Sequence, residues 1–306
     1  MEIRHSHEAN LQESEEKSVQ SGRVKMEHYA TYYFANIIDG ILTDHFTYIR
    51  SLNDFYGEGK IQWFAKPFQK YSAFHQFIDF VVNSVIDEQM SEIDLESLKK
   101  DYLNRKGFIP EDELKEFTML PLNTYFHNYK ITHTSFEEWL KDNNKEFLLS
   151  TEDDIYDYYN EFYLSGEIED LIEKIREEVF FVMFSNRGLL RNFNVMMANV
   201  LSGVELDDLD MENQSYFKEN GILKRVNIPS WTKKAVFYRD RGRCVKCNKD
   251  ISGTLSFQNN VNFDHIVPLA VGGLNDVTNI QLMCEECNKK KNCFTCDTSI
   301  YYEKWY

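Results

Sequence analysis

The chain has 306 residues, about twice the usual single-domain length, and its 42% hydrophobic and 15% aromatic content excludes a disordered or collagen-like protein. Lys and Arg number 34 against 50 Asp and Glu, a net of −16 that on average argues against a nucleic-acid partner. The average hides a split. From Gly221 to Tyr306, 13 Lys and Arg face 8 Asp and Glu, a net of +5, which leaves −21 for Met1–Asn220. An acidic body is joined to a basic carboxy-terminal module.

Residues 1–25 are polar and charged with little to bury, and are expected to be a disordered leader. They hold no apolar stretch of signal-peptide length, and nowhere do 18 uncharged apolar residues run together. The expectation is a cytoplasmic protein with reduced thiols and no membrane contact. His5 and His7 form an H-x-H with no further ligand nearby, so no metal is assigned to them.

Residues 26–203 read as an acidic all-α domain. Phe34, Ile37, Ile38, Ile41, Leu42 and Ile49 recur near 3.6 spacing, as do Phe74, Phe77, Ile78, Val81, Val82 and Val85, and again Ile168, Leu171, Ile172, Ile175, Val179 and Val182. Ser135 with Glu138 forms a capping box ahead of Trp139, while Pro67, Pro110 and Pro121 mark breaks. Tyr156, Tyr158, Tyr159, Phe162 and Tyr163 sit among carboxylates that would repel phosphates, so they read as core or protein contact rather than base-stacking platforms. His45, His75, His127 and His133 are given no chemistry, and Arg187 and Arg191 are expected to pair within the acidic body. The body contains no Gly-rich phosphate loop and no G-x-S-x-G elbow. Its role is left to regulation, partner binding or self-association.

Residues 204–222 are acidic and polar and read as a linker, after which 223–306 form the basic module. Lys224, Arg225, Lys233, Lys234, Arg239, Arg241 and Arg243 fall within twenty residues, with Ser230 after Pro229 as the N-cap of a short helix through Arg239. Lys233, Lys234, Arg239, Arg241 and Arg243 are therefore placed along a phosphate backbone.

All six cysteines lie between Cys244 and Cys296 as three C-x-x-C pairs. In a reduced compartment such spacing means metal ligation. Cys244, Cys247, Cys284 and Cys287 supply four thiolates, the ligand set of a closed tetrahedral zinc site whose task is to hold a small module together. Cys293 and Cys296 could replace one pair, complete a second site or stay free.

Between the pairs, Val261–Gly273 is a β-type run with the polar pair Asp264 and His265 and a turn at Gly272 and Gly273. Asn279-Ile-Gln-Leu-Met-Cys284 and Cys287-Asn-Lys-Lys-Lys291 follow, so the order reads β-β-α. Taken together, C-x-x-C, D-H-I-V-P-L, G-G, N-I-Q-L-M-C and C-x-x-C-N-x-x-K resemble the HNH endonuclease family over about Ile228–Lys291. The resemblance says nothing about the first two hundred residues, which periodicity alone makes an α-helical amino-terminal domain; it implies a small α+β, zinc-stabilised ββα-metal domain at the carboxy-terminal end.

By the same resemblance Asp264 and Asn288 are ligands of a catalytic Mg²⁺ or Mn²⁺, and Asn279 orients the loop and the His265 ring. Lys291 stands at the family's lysine position facing a phosphate, flanked by Lys289 and Lys290. His265 suits the general base that takes a proton from water near neutral pH. Many members carry histidine where this chain has Asn288, a harder ligand that suits Mg²⁺. This reading requires the imidazole to be open and turned toward the two cation ligands.

The implied activity is metal-dependent hydrolysis of DNA phosphodiester bonds, one strand per site, in a setting such as restriction or anti-phage defence. The other reading is a non-catalytic, zinc-stabilised nucleic-acid-binding protein. If the acidic body occludes the DNA groove, deleting Met1–Asn220 is expected to raise nicking.

Overall fold

The computed structural model describes residues 29–57, 60–253 and 261–300. The leader assigned to 1–25, with His5 and His7, lies outside the described residues. The chain forms two compact units: the described residues up to Phe34 with Asn83–Ile175, and Ala35–Val82 with the described residues from Arg176 onward. This division differs from the partition expected at 203 and 223.

The long helices follow the apolar periodicity. Helix α1 (Tyr29–Thr43) buries Phe34, Ile38 and Leu42; the predicted continuation to Ile49 is broken, because Ile49 opens a separate helix α2 (Ile49–Tyr56) and is exposed. Helix α3 (Ala73–Ser91) buries Phe74, Phe77, Ile78, Val81, Val82 and Ile86, the last in place of Val85. These are the three- and four-residue steps of one helical stripe.

In the first unit, α4 (Leu95–Arg105), α5 (Glu111–Leu114), α6 (Pro121–Asn128), α7 (Phe136–Asp142) and α8 (Glu152–Ser165) are joined by short turns. The Ser135–Glu138 box caps α7 as expected, and Thr151 with Asp154 caps α8 in the same way. Glu152, Asp153 and Asp154 occupy the first turn of α8, where the helix dipole favours negative charge. The helix stops at Gly166, whose φ of 98° places it in the left-handed region. Tyr158 and Phe162 are buried, ring to ring at 4.8 Å, and the Tyr158 hydroxyl donates to the Thr134 carbonyl at 2.7 Å. Tyr156 and Tyr163 are exposed on the same helix, so the aromatic run divides between core and surface.

The second unit contains the stretch read as a linker. Helix α9 (Glu167–Phe184) leads to α10 (Arg187–Leu201), N-capped by Asn186. After α10 come α11 (Met211–Gln214), capped by Asp210, and a hairpin of β1 (Phe217–Glu219) and β2 (Ile222–Leu223). Gly221 turns the hairpin at φ 64°, and a Cβ there would stand 2.7 Å from Ser202 Cα. Residues 204–222 are thus ordered structure rather than a bare tether.

Helix α12 (Ser230–Arg239) follows Pro229; Ser230 is its first residue instead of its cap, and no side chain caps it. The antiparallel pair β3 (Val261–His265) and β4 (Ile280–Cys284) runs into α13 (Glu285–Lys290), with His265 opposite Ile280 and Asp264 opposite Gln281. The apolar side chains beneath them, Val236, Ile251, Val277, Ile280, Leu282 and Met283, pack with Phe68, Phe180 and Phe184. Those three phenylalanines come from far upstream, so the basic module does not bury its core with its own residues alone.

His75, on α3, illustrates how this unit responds to acid. Its ring stacks on Phe180 at 3.7 Å and its Nδ1 faces the Ser72 amide and hydroxyl. Burial, aided by the charge of Arg176, depresses its pKa from 6.5 to about 4. The unfolded chain therefore binds the proton first, so stability falls as pH drops from about 6.5 toward 4 and is flat above. Between pH 7 and pH 5 the loss from this residue is about 2 kcal/mol. His75→Gln should lose that share of the pH dependence, read from urea midpoints at the two pH values.

Candidate active site and metal centre

Two turns bring the four zinc-candidate cysteines together. Val245 N–H donates to the Leu282 carbonyl at 3.0 Å, docking the first turn on β4, and Asn248 closes that turn at φ 59° with its N–H on the Cys244 carbonyl. In the second turn Cys284 caps α13, its Sγ accepting from Cys287 N at 3.5 Å. The sulfurs of Cys244, Cys247, Cys284 and Cys287 all lie within 4.8 Å of one another, with Cys247 and Cys284 at 3.8 Å. Tetrahedral ligands 2.3 Å from a zinc ion stand about 3.8 Å apart, so the donor set fits that ion.

Cys244 shows how the first turn prepares a thiolate. Burial raises its pKa, but amide hydrogen bonds from Cys284, Cys247 and Lys246 outweigh it and bring the thiol to about 7. Cys293 and Cys296 do not join the cluster, which among the described residues is the one group of its kind. The choice of Cys284 and Cys287 over the third pair agrees with this geometry.

Asp264, His265 and Asn279 stand where β3 ends and β4 begins, and Asn288 is on α13. Asn279 is fully buried; its Nδ2 donates to the Val267 and Leu274 carbonyls at 2.9 and 2.8 Å, and its Oδ1 accepts from Val267 N at 2.8 Å. Three bonds from one side chain tie the 266–279 loop closed. Gly273 permits that closure, since a Cβ there would fall 2.0 Å from the Val267 carbonyl oxygen.

The His265 ring is held by a residue that the motif reading missed. Its Nε2 lies 3.3 Å from Asn275 Oδ1, while Asn275 Nδ2 donates to the Lys224 carbonyl at 2.9 Å. A carbonyl can only accept, so the amide orientation is set and Nε2 is the protonated nitrogen. Nδ1 is left as the basic atom. Asn279, expected to orient both the loop and the ring, bonds the loop, while Asn275 is the residue on the ring.

The imidazole is buried, at 7% exposure, so the openness that the hydrolytic reading required is not met in this structure. Burial lowers its pKa to about 4, against opposing contributions from the Asn275 hydrogen bond and Asp264. It is neutral at physiological pH, the form a proton acceptor needs. Arg225, exposed and next to Lys224, is close enough to push the same pKa down.

Asp264 is half-buried, and Lys291 donates to its Oδ2 at 2.8 Å and to the His265 carbonyl at 2.5 Å. Gln281 Nε2 stands 3.4 Å from the same Oδ2, leaving Oδ1 without a hydrogen-bond partner among the described residues. Asn288 lies half-buried on α13, which packs against β3 and β4. Asp264 on β3 and Asn288 on α13 carry hard oxygen donors of the kind Mg²⁺ or Mn²⁺ takes.

The loop is further anchored from upstream. Phe68 N–H donates to the Asn275 carbonyl at 2.7 Å, and Asp276 Oδ2 accepts from Ala73 N at 3.0 Å, capping α3. These bonds join the His265 loop to chain some two hundred residues earlier.

Two expected backbone contacts are placed elsewhere. The Arg239 side chain is 1% exposed and bound to Asp240 and the Ile280 carbonyl, and Lys291 is 4% exposed inside the strand end. Both are drawn inward because a buried acceptor offers each a partner. Lys233, Lys234, Arg241, Lys289 and Lys290 are exposed, Lys289 with Glu285 beside it, and Arg243 is half-buried on the Asn248 carbonyl. Arg187 pairs not with the acidic body but with Asp240, at 3.1 Å.

Residues 244–300 match the model of the HNH endonuclease family. No curated protein matches the chain. No solved structure matches it either. The match lies in the carboxy-terminal region, which also holds the cysteine cluster. No helix among the described residues is long and apolar enough to cross a membrane.

Proposed function

We propose that the protein is a metal-dependent endonuclease that hydrolyses DNA phosphodiester bonds, with zinc as a structural ion at Cys244, Cys247, Cys284 and Cys287. The observation that carries the reading is Asn275 between His265 and the Lys224 carbonyl, which leaves a neutral imidazole with one lone pair to use. Asp264 Oδ1 and Asn288 would hold Mg²⁺ or Mn²⁺, which when bound stabilises the charge that builds on the phosphate and leaving oxygen. His265 Nδ1 takes the proton of the attacking water. Because the ring is buried, the step requires a local opening that admits water to Nδ1. Asn279 and Asn275 keep the loop and tautomer in place, and Lys291 holds the Asp264 carboxylate in position.

Lys233, Lys234, Lys289 and Lys290 are exposed cations for the strand, contacts that position DNA without reading its sequence. Cytoplasmic action as the effector of a defence system, with the helical residues for regulation or partner binding, is our proposal for its setting. Supercoiled plasmid with purified protein tests the activity: nicked circles should appear with Mg²⁺ or Mn²⁺ and not without added cation. Intact plasmid that is nonetheless bound would favour the non-catalytic, zinc-stabilised binding protein.

Truncation is now expected to act opposite to simple release from autoinhibition. Deleting Met1–Asn220 removes Phe68, Phe180 and Phe184 from the core and the Asp276 partner at Ala73. The remaining 86 residues should lose cooperative unfolding and cut less than the whole chain at equal concentration. Faster cutting by the fragment would restore the autoinhibition reading.

A further inference from the structure

A groove of about 570 Å³, lined by neither Asp264 nor His265, opens between the end of α9 and α12. Its size falls within the range of about 300–1,000 Å³ in which small-ligand sites lie. Phe180, Phe181 and Phe184 line it from α9, and Ala235 and Tyr238 from α12. Part of this lining is already stacked: the His75 ring lies 3.7 Å from that of Phe180, Phe180 lies 5.2 Å from Phe184, and the Arg239 guanidinium, bound to Asp240, sits 5.1 Å over Phe184. Phe181 and Tyr238 differ. They are 84% and 76% exposed, and two large rings kept in water at one groove mark a contact surface.

The charge beside these rings points to what they contact. Lys234 stands four residues before Tyr238 on α12, so the two share a helix face, and Lys233 is exposed next to it. Lys233 Nζ is 6.0 Å from the ring of Phe263, the neighbour of Asp264 on β3, so the same helix carries positive charge toward that strand. Cations that follow phosphates, combined with rings on which bases stack, are the means by which single-stranded nucleic acid is held. Tyr156 and Tyr163 are exposed too, but on the acidic α8 they lack the cations. The α9 wall of the groove carries the exposed Glu177, with Glu178 beside it. A carboxylate there repels phosphate and can accept a hydrogen bond from the exocyclic amino group of a base, so a strand would turn a base toward α9 and keep its backbone on α12.

We propose that this groove binds an unpaired base of a nucleic-acid strand, stacked against Phe181 and Tyr238, with the adjoining phosphates on Lys233 and Lys234. The proposal deepens the nuclease reading by giving its substrate a single-stranded or unwound stretch, and it rests on that reading for nucleic acid as the partner. A base inside a duplex is stacked on both faces and must leave the helix to enter such a groove.

The test measures binding by the full chain with no divalent cation added, so it does not depend on whether His265 is a base. The probes are a short fluorescent single strand and the same strand in duplex. Tyr238→Ala and Phe181→Ala should each weaken single-strand binding about tenfold, the share of one stacked base, with duplex affinity, melting temperature and zinc content unchanged. Tyr238→Phe keeps the ring and should bind as wild type. Lys234→Ala should lower the slope of log K against log salt by about 1 for the single strand. Single-strand affinity equal in wild type and both alanine variants, or lost in equal measure for the duplex, overturns the proposal, and plasmid nicking by the same samples would leave the nuclease reading standing. Ring-dependent single-strand binding by a protein that nicks no plasmid keeps the groove and removes the nuclease. A change in solution mass in Phe181→Ala with unchanged strand affinity makes the groove a contact between copies of the chain, and the proposal is then wrong.

Discussion

His265→Ala should lower Mg²⁺-dependent plasmid nicking by about 10²–10⁴-fold, the range a positioned general base supplies. Duplex affinity and zinc content should be unchanged, because the ring contacts Asn275 and holds neither the cysteine cluster nor an exposed cation. The size of the effect follows from the arrangement around the ring. Asn275 holds Nε2, burial keeps the imidazole neutral, and Nδ1 is the acceptor that remains. Alanine removes that acceptor and leaves Asn275 Oδ1 buried without its donor, which costs about 1–3 kcal/mol of stability. A melting curve on the same sample separates this from loss of fold. Nicking that persists at the wild-type rate in a folded variant would remove the hydrolytic role of His265 and favour a binding protein.

Cys284→Ser should release the metal and unfold the carboxy-terminal region. Cys284 has two duties: its sulfur is one of the four clustered donors, and it caps α13 through Cys287 N. Structural zinc contributes an apparent ~10–16 kcal/mol in small metal-stapled folds, far more than a domain's net stability. Loss of one thiolate should reduce bound zinc well below one equivalent, measured by elemental analysis, with loss of β3–β4 amide protection in hydrogen exchange. Cys293→Ser is the control, since that thiol is exposed and outside the cluster; its zinc content should match wild type. Equal zinc loss in both variants would mean that the third C-x-x-C also ligates.

Much of the site was legible because it is written in short spacings. A C-x-x-C turn brings two sulfurs together through local geometry, so spacing offered three pairs that could share an ion, and the preference for Cys284 and Cys287 came from the motif beside them. The capping box at Ser135 and the apolar stripes of α1, α3 and α9 followed in the same way, since a helix repeats every 3.6 residues whatever surrounds it. The stripes erred at Ile49, which lies exposed in a separate helix, and by one residue at Ile86 for Val85, because burial depends on which neighbour approaches.

Asn275 was missed because an amide in a loop carries no spacing signal; its importance comes from standing between a ring and a carbonyl that the fold brings together. Lys291 and Arg239 were read as surface cations because charge in a sequence has no direction, and the structure turns both inward onto Asp264 and Asp240. The linker reading of 204–222 likewise judged composition, whereas Asp210 capping and the Gly221 turn make ordered elements of it.

By itself the amino-acid order determined the helical character of the first two hundred residues, each C-x-x-C pair and the Asp264–His265 motif, all of which depend on neighbours a few positions apart. Tertiary structure alone decided that Phe68, Ala73 and Arg187 support the module around that motif, and which nitrogen of His265 is left basic. Those contacts span 50 to 200 residues, and a pairing at that range is set by how the whole chain packs, which no local pattern encodes.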